Sequence, residues 1–240
     1  MRRDIRRIAL VVAALVAAAE AGAQVGYPPR QSPFRDLRET QEVTFYGGWF
    51  VAKKDPGGVA PQSGPLVGAH YEWRAAGPAH ITFDMSRADS ERQVLDPERP
   101  QTCAAASRDC KFLGTWRWPL YFADVGMALA LTGARSFYGF VPQVRAGLGF
   151  VTDFHSQPDV GDFAFGTRFA LSWGAGIRWV PGNRFQVRAD FMNRLYSVRY
   201  PDTYYLGAED GTAVFDPDQS RSAWLNNPAL TIGVSYLFAR

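Results

Sequence analysis

Cysteine, basic runs and long apolar stretches are all scarce in this chain. Its two cysteines, Cys103 and Cys110, stand seven apart in a polar stretch with no histidine cluster nearby, which is poor spacing for zinc. In an exported protein such a pair reads as a local disulfide closing a loop, with free thiols as the alternative. After the N-terminus no stretch is long and apolar enough to form a membrane-spanning helix. The net charge is +3, and residues 1–23 hold Arg2, Arg3, Arg6 and Arg7 against only Asp4 and Glu20, so the remainder is close to +1. No basic run occurs beyond that leader, and the charge is therefore no sign of nucleic-acid binding. Phosphate-cradling glycine loops are missing too. The acidic pairs Glu209-Asp210 and Asp216/Asp218 lack the spacing of a calcium loop, so no metal or cofactor is expected.

What the chain has instead is aromatic residues (14%), 23 glycines, and a hydrophobic content of 47%. Its mean hydropathy is still only −0.19. Strands that alternate polar and apolar residues average to such a value even when they cross a membrane. The N-terminus carries the three parts of a secretory signal: the basic start to Arg7, an apolar core from Ile8 to Ala19, and the small residues Ala21-Gly22-Ala23 before Gln24. Cleavage is expected between Ala23 and Gln24. Residues 24–40, which hold three prolines, read as a flexible periplasmic lead-in.

From residue 41 onward a period of two recurs, the signature of half-buried strands. Eight segments carry it, over about 41–53, 64–75, 78–88, 117–132, 137–152, 165–180, 184–199 and 228–239. The links alternate in length. Ala76-Gly77-Pro78, Thr132-Gly133-Ala134-Arg135 and Pro181-Gly182-Asn183 are tight turns, whereas 54–63, 89–116, 153–164 and 200–226 are long polar loops. Short turns at one end and long loops at the other is the layout of a membrane β-barrel. The expectation is an all-β, eight-stranded antiparallel up-and-down transmembrane barrel over residues 41–240, with turns and both termini in the periplasm.

Alternation alone does not say which face is outside, since soluble barrels with apolar interiors also have eight strands. The polar face is rich in Gly, Ala, Ser and Thr, which suits the crowded interior of a narrow barrel better than a solvated exterior. Its charges are of both signs: Glu72, Asp84, Asp124 and Asp190 against Arg74, Arg145, Arg168, Arg178 and Arg188. Left unpaired in a lumen they would be costly, so they are expected to pair and fill it. His70 and His80, on the polar faces of neighbouring strands, are expected to hydrogen-bond in that lumen. Trp49, Trp73, Trp118, Tyr121, Trp173, Trp179 and Tyr236 are expected in aromatic girdles at the two lipid interfaces.

The terminal strand LTIGVSYLFAR, the pair GTRFALSWGAGIRWVPGNRFQVRADF and the start EVTFYGGWFVAK together resemble the OmpA-like small outer-membrane barrels. The resemblance covers roughly residues 41–240 and implies the barrel alone. It also implies that the last strand is read by the barrel-assembly machinery through its aromatics. Here these are Tyr236 and Phe238, followed by Ala239 and Arg240. The function expected is structural or surface-interacting, with outer-membrane lipid around the barrel, a closed or narrow charged lumen and a surface ligand at the long loops. A small-solute pore or carrier is the alternative. A lipid A-modifying enzyme is less favoured, because Ser235 lies on the last strand but none of the three histidines lies in the last third. His155-Ser156 falls in a loop, where a solvated role is expected.

Overall fold

The computed structural model describes residues 32–99, 111–181 and 184–238. The predicted signal and its cleavage point, Cys103 and Cys110 lie outside these residues. Twelve strands are present among the described residues: β1 (Phe34–Asp36), β2 (Gln41–Phe50), β3 (Gly64–Ala76), β4 (Ala79–Ala88), β5 (Glu91–Leu95), β6 (Phe112–Arg117), β7 (Leu120–Ala130), β8 (Arg135–Phe137), β9 (Phe140–Thr152), β10 (Arg168–Trp179), β11 (Phe185–Arg199) and β12 (Ser222–Phe238). Eight of them, β2, β3, β4, β7, β9, β10, β11 and β12, pair antiparallel with their neighbours in order, and β12 returns to β2. The sheet therefore closes on itself and leaves no free edge, the condition for strands to stand in lipid.

The register sorts the side chains as the alternation requires. Phe45, Val67, Phe83, Met85, Val125, Met127, Leu148, Phe150, Leu230, Ile232 and Val234 all face outward and are exposed. So wide an apolar surface on the outside, with the polar set buried within, inverts a soluble barrel and matches a bilayer. This is a closed transmembrane β-barrel.

Four features depart from the sequence reading. The last strand starts at Ser222 rather than 228, because the missing N–H of Pro228 interrupts the ladder without ending it. The Pro228 carbonyl still accepts from Val51 N–H at 2.8 Å, and Arg194 pairs with Asn227 beyond it. Within the loop over 89–116, β5 and β6 pair as an antiparallel ladder. Trp118 is no girdle residue: it is buried, and its indole N–H donates to Asp153 Oδ2 at 2.9 Å.

The fourth departure is the lead-in. Phe34–Asp36 pairs with Arg135–Phe137, in the link between β7 and β9. That link lies across the barrel from β2, four strands away in the ring. Residues 37–40 therefore cross the mouth of the barrel as a strap. Arg74 at the base of β3 holds it, donating from Nη1 to Leu37 O and from Nη2 to Glu39 O, both at 2.9 Å.

Candidate functional site

The lumen is the first place to look, because every second residue of each strand points into it. Glu42, Glu72, Asp84, Asp124 and Asp190 meet Arg145, Arg178, Arg188 and Arg194 there, in two linked groups. Nearest the strap, Arg178 Nη1 lies 2.7 Å from Glu42 and 3.2 Å from Glu72. Arg188 Nη1 lies 2.6 Å from Glu42, and its Nε donates to Asp190 at 2.8 Å. Arg145 closes on Asp190 at 3.1 Å. Further toward the long loops, Arg194 bridges Asp84 and Asp124 at 3.0 Å each. The Tyr46 hydroxyl lies 2.8 Å from Asp84 Oδ1.

His70 joins the two groups. Its ring nitrogens lie 3.3 Å from Glu72, 3.5 Å from Asp84 and 3.3 Å from Arg145 Nη1. His80 lies 3.5 Å from Glu72. Glycines make room for this density of charge. A Cβ on Gly176 would stand 2.0 Å from Asp190 Oδ1, and one on Gly149 2.3 Å from Asp124 Oδ1.

Two expected members do not join carboxylates. Arg168 sits at the loop end of β10, beyond the ionic layer, and its Nη2 reaches back to Ala164 O at 3.3 Å. Arg74 sits at the opposite end and is spent on the strap. Two members were missed, Glu42 and Arg194. Both share the parity of the polar face in their own strands, Glu42 near the start of β2 and Arg194 within β11, and following that parity along the whole strand finds them.

Past the ionic layer the barrel turns apolar. Phe50, Leu66, Phe122, Tyr196, Val198 and Leu225 from the strands pack with Val59, Phe163, Phe165, Tyr204 and Phe215 from the loops. The loops thus form a cored cap rather than four solvated arms. Buried aspartates shape them. Asp55 accepts from Gly57 N–H, Ala60 N–H and the Tyr200 hydroxyl, the last at 2.8 Å. Burial and the Asp55 charge push the Tyr200 phenol up, so it stays protonated as the donor. Asp159 Oδ1 accepts from Gly161 and Phe163 N–H, and its Oδ2 pairs with Arg92 at 2.6 Å. Arg92 is fully buried, donates to Val59 O at 3.0 Å and lies over the Phe163 and Trp118 rings. One guanidinium thereby ties three loops together.

His155 stacks on Trp118 with ring centroids 3.9 Å apart, and its Nδ1 lies 3.0 Å from Asp153 O. The cap's outer surface bears a recess of about 480 Å³ lined by Lys53, Lys54, Gln62 and Gln93, among others. At the other end, the space left between the strap and Glu42, Glu72, Arg178 and Gln186 is about 10 Å³, room for roughly one water.

Tyr236 and Phe238, the predicted assembly-signal aromatics, lie at the strap end of β12, where Phe238 is 6.4 Å from the Tyr71 ring.

No family model matches the chain, and no curated protein matches it. Solved structures do. Neisserial surface protein A is 12% identical, with 82% of this chain and 97% of that one covered at a TM-score of 0.49. Outer membrane protein OprG of Pseudomonas aeruginosa is 12% identical, over 85% and 99% of the two chains, at 0.48. Outer membrane protein W of E. coli is 15% identical, over 84% and 100%, at 0.47. The chain is similar to these proteins at a distance where the barrel must stand on its own strand pairing, and it does.

Proposed function

We propose that this chain is a bacterial outer-membrane barrel with a structural or surface-interacting role and a lumen closed to solutes. The observation that carries the reading is closure at three successive levels: the strap, the ionic layer and the aromatic cap. A pore needs one continuous polar path, and each level interrupts it. Tight turns and strap face the periplasm, and the capped loops face outward as the surface open to a partner. Tyr236 and Phe238 serve as the strand signal for the assembly machinery. No enzymatic step is assigned. The histidines have structural neighbours: His70 and His80 within the ionic layer, and His155 against Trp118.

Single-channel recording on the purified barrel in planar bilayers tests closure. The expected record is flat or shows rare small events; a large steady conductance would sink the reading. Sucrose-gradient fractionation of the native envelope tests location, with co-migration with the inner membrane as the contrary result.

A further inference from the structure

One strand beyond the barrel wall is left with an open edge. The β5–β6 ladder continues the β4–β7 ladder without a slip: Ala88 stands opposite Leu120, and Glu91 opposite Arg117. The two ladders form one ribbon that rises past the rim. On the β5 side the first long loop joins it, with Gln62 N–H donating to Glu91 O at 2.7 Å. On the β6 side the place belongs to β9, the neighbour of β7, but β9 stops at Thr152, opposite Tyr121. Phe154 then takes a φ of 55° and the chain turns into the cap, where Asp159 meets Arg92. Among the described residues β6 therefore pairs with β5 alone.

The spare backbone groups of β6 follow from the ladder. Trp118 N–H donates to Ser90 O at 2.7 Å, so alternation turns the groups of Trp116 and Gly114 to β5 as well, and those of Thr115 and Arg117 away from it. Every residue of β6 except Gly114 is exposed, Trp116 at 45%. Proteins commonly guard such an edge with charge. Here the charges are spent. Lys111 is buried, with its Nζ donating to Pro97 O at 2.6 Å. Arg117 is balanced by Asp89 and by its ladder partner Glu91.

A neutral edge of extended backbone accepts another strand, and β6 is complementary to itself. In an antiparallel pair centred on Thr115, that residue faces Thr115 of the second copy, a favourable cross-strand pair. Trp116 faces Gly114 of the second copy, where no side chain stands in its way, and symmetry repeats the contact. The two Arg117 side chains fall at opposite ends. A twofold axis relating antiparallel strands runs perpendicular to their sheet. That sheet continues the barrel wall, so the axis lies in the membrane plane and turns the second barrel upside down.

We propose that β6 is a self-adhesive edge, pairing antiparallel with β6 of a second copy that stands in a facing membrane. The contact rests on the surface-interacting reading, since only outward loops can meet such a membrane. Each contact is small, and many copies per membrane multiply it.

Phosphatidylcholine vesicles carrying the full barrel test it, in two populations labelled with donor and acceptor dyes, with energy transfer between populations as the measure of clustering. Wild type is expected to cluster with wild type and to ignore empty vesicles. Thr115→Lys and Thr115→Glu each place like charges face to face across the twofold. Either variant alone should cluster at least about threefold less, the cost of like charges directly opposite. Mixing the two variants should restore clustering. Trp116→Ala should weaken it without touching the charge. Wild-type vesicles that stay dispersed overturn the proposal, and so does clustering with empty vesicles, which would mark a lipid contact. A mixture of the two variants that clusters no better than either alone overturns the pairing at Thr115. Energy transfer between barrels of one vesicle without clustering overturns the facing arrangement. Slow amide exchange at Thr115 and Arg117 in dilute detergent would mean that the chain covers its own edge, and overturns it too. Fractionation separates the two failures: a barrel found in the inner membrane refutes the location, whereas an outer-membrane barrel whose vesicles stay dispersed refutes only the contact.

Discussion

Arg194→Leu is the sharpest probe of a dry lumen. Arg194 Nε donates to Asp124 Oδ2 at 3.0 Å, while Asp124 Oδ1 has no partner among the described residues. Asp84, the other partner, keeps the Tyr46 hydroxyl and His70. Removing the guanidinium therefore strands Asp124. Orphaning one member of a buried pair costs about 3–5 kcal/mol. Adding Asp124→Asn replaces a stranded charge with a poorly satisfied amide, worth about 1–3 kcal/mol. The double variant should thus be more stable than Arg194→Leu alone by roughly 2 kcal/mol, the difference of those two costs. Urea titration of the barrel in lipid vesicles, followed by tryptophan fluorescence, measures both midpoints, and an unchanged slope shows that the unfolding reaction is the same. If Arg194→Leu cost under about 1 kcal/mol, or the two changes simply added, water would be solvating Asp124 and the closed lumen would be wrong.

Other outcomes follow from the same geometry. Gly176→Ala places a Cβ 2.0 Å from Asp190 Oδ1 and should destabilise the barrel by about 1–3 kcal/mol in the same titration. Arg92→Met frees Asp159 and unties three loops, so amide exchange should speed up in 54–63 and 153–164 while the strands stay protected. Tyr200 is raised in the fold, so its contribution is complete below the unfolded phenol value of about 10 and shrinks as pH climbs beyond it. Tyr200→Phe should abolish that alkaline loss in cap exchange rates. Arg74→Ala releases two carbonyls of the strap, and residues 32–40 should become protease-sensitive without any change in the heat-resistant barrel band.

The strands were legible because a sheet with one face in lipid and one in a polar lumen imposes a strict period of two. Their pairing followed from the turn chemistry at Gly77 and Gly133. The cap was not legible. Phe163, Phe165, Tyr204 and Phe215 sit in loops of no period, and nothing in their spacing says that they converge. Trp118 misled for the opposite reason: a tryptophan at a strand end resembles a girdle residue unless its partner Asp153, 35 positions away, is known. In the lumen, residue types and signs were readable but heights were not. Parity places Arg168 and Arg188 on one face, yet only strand position decides which meets a carboxylate.

The strap has a mechanical consequence. A hoop of eight strands yields most easily by turning oval, lengthening one diameter as it shortens the other. Residues 34–40 tie the start of β2 to the β7–β9 link on the far side, so they act as a chord across that hoop. Stretch along that diameter must first break the β1–β8 ladder, and the cross-section is held round at the one end where no cap supports it.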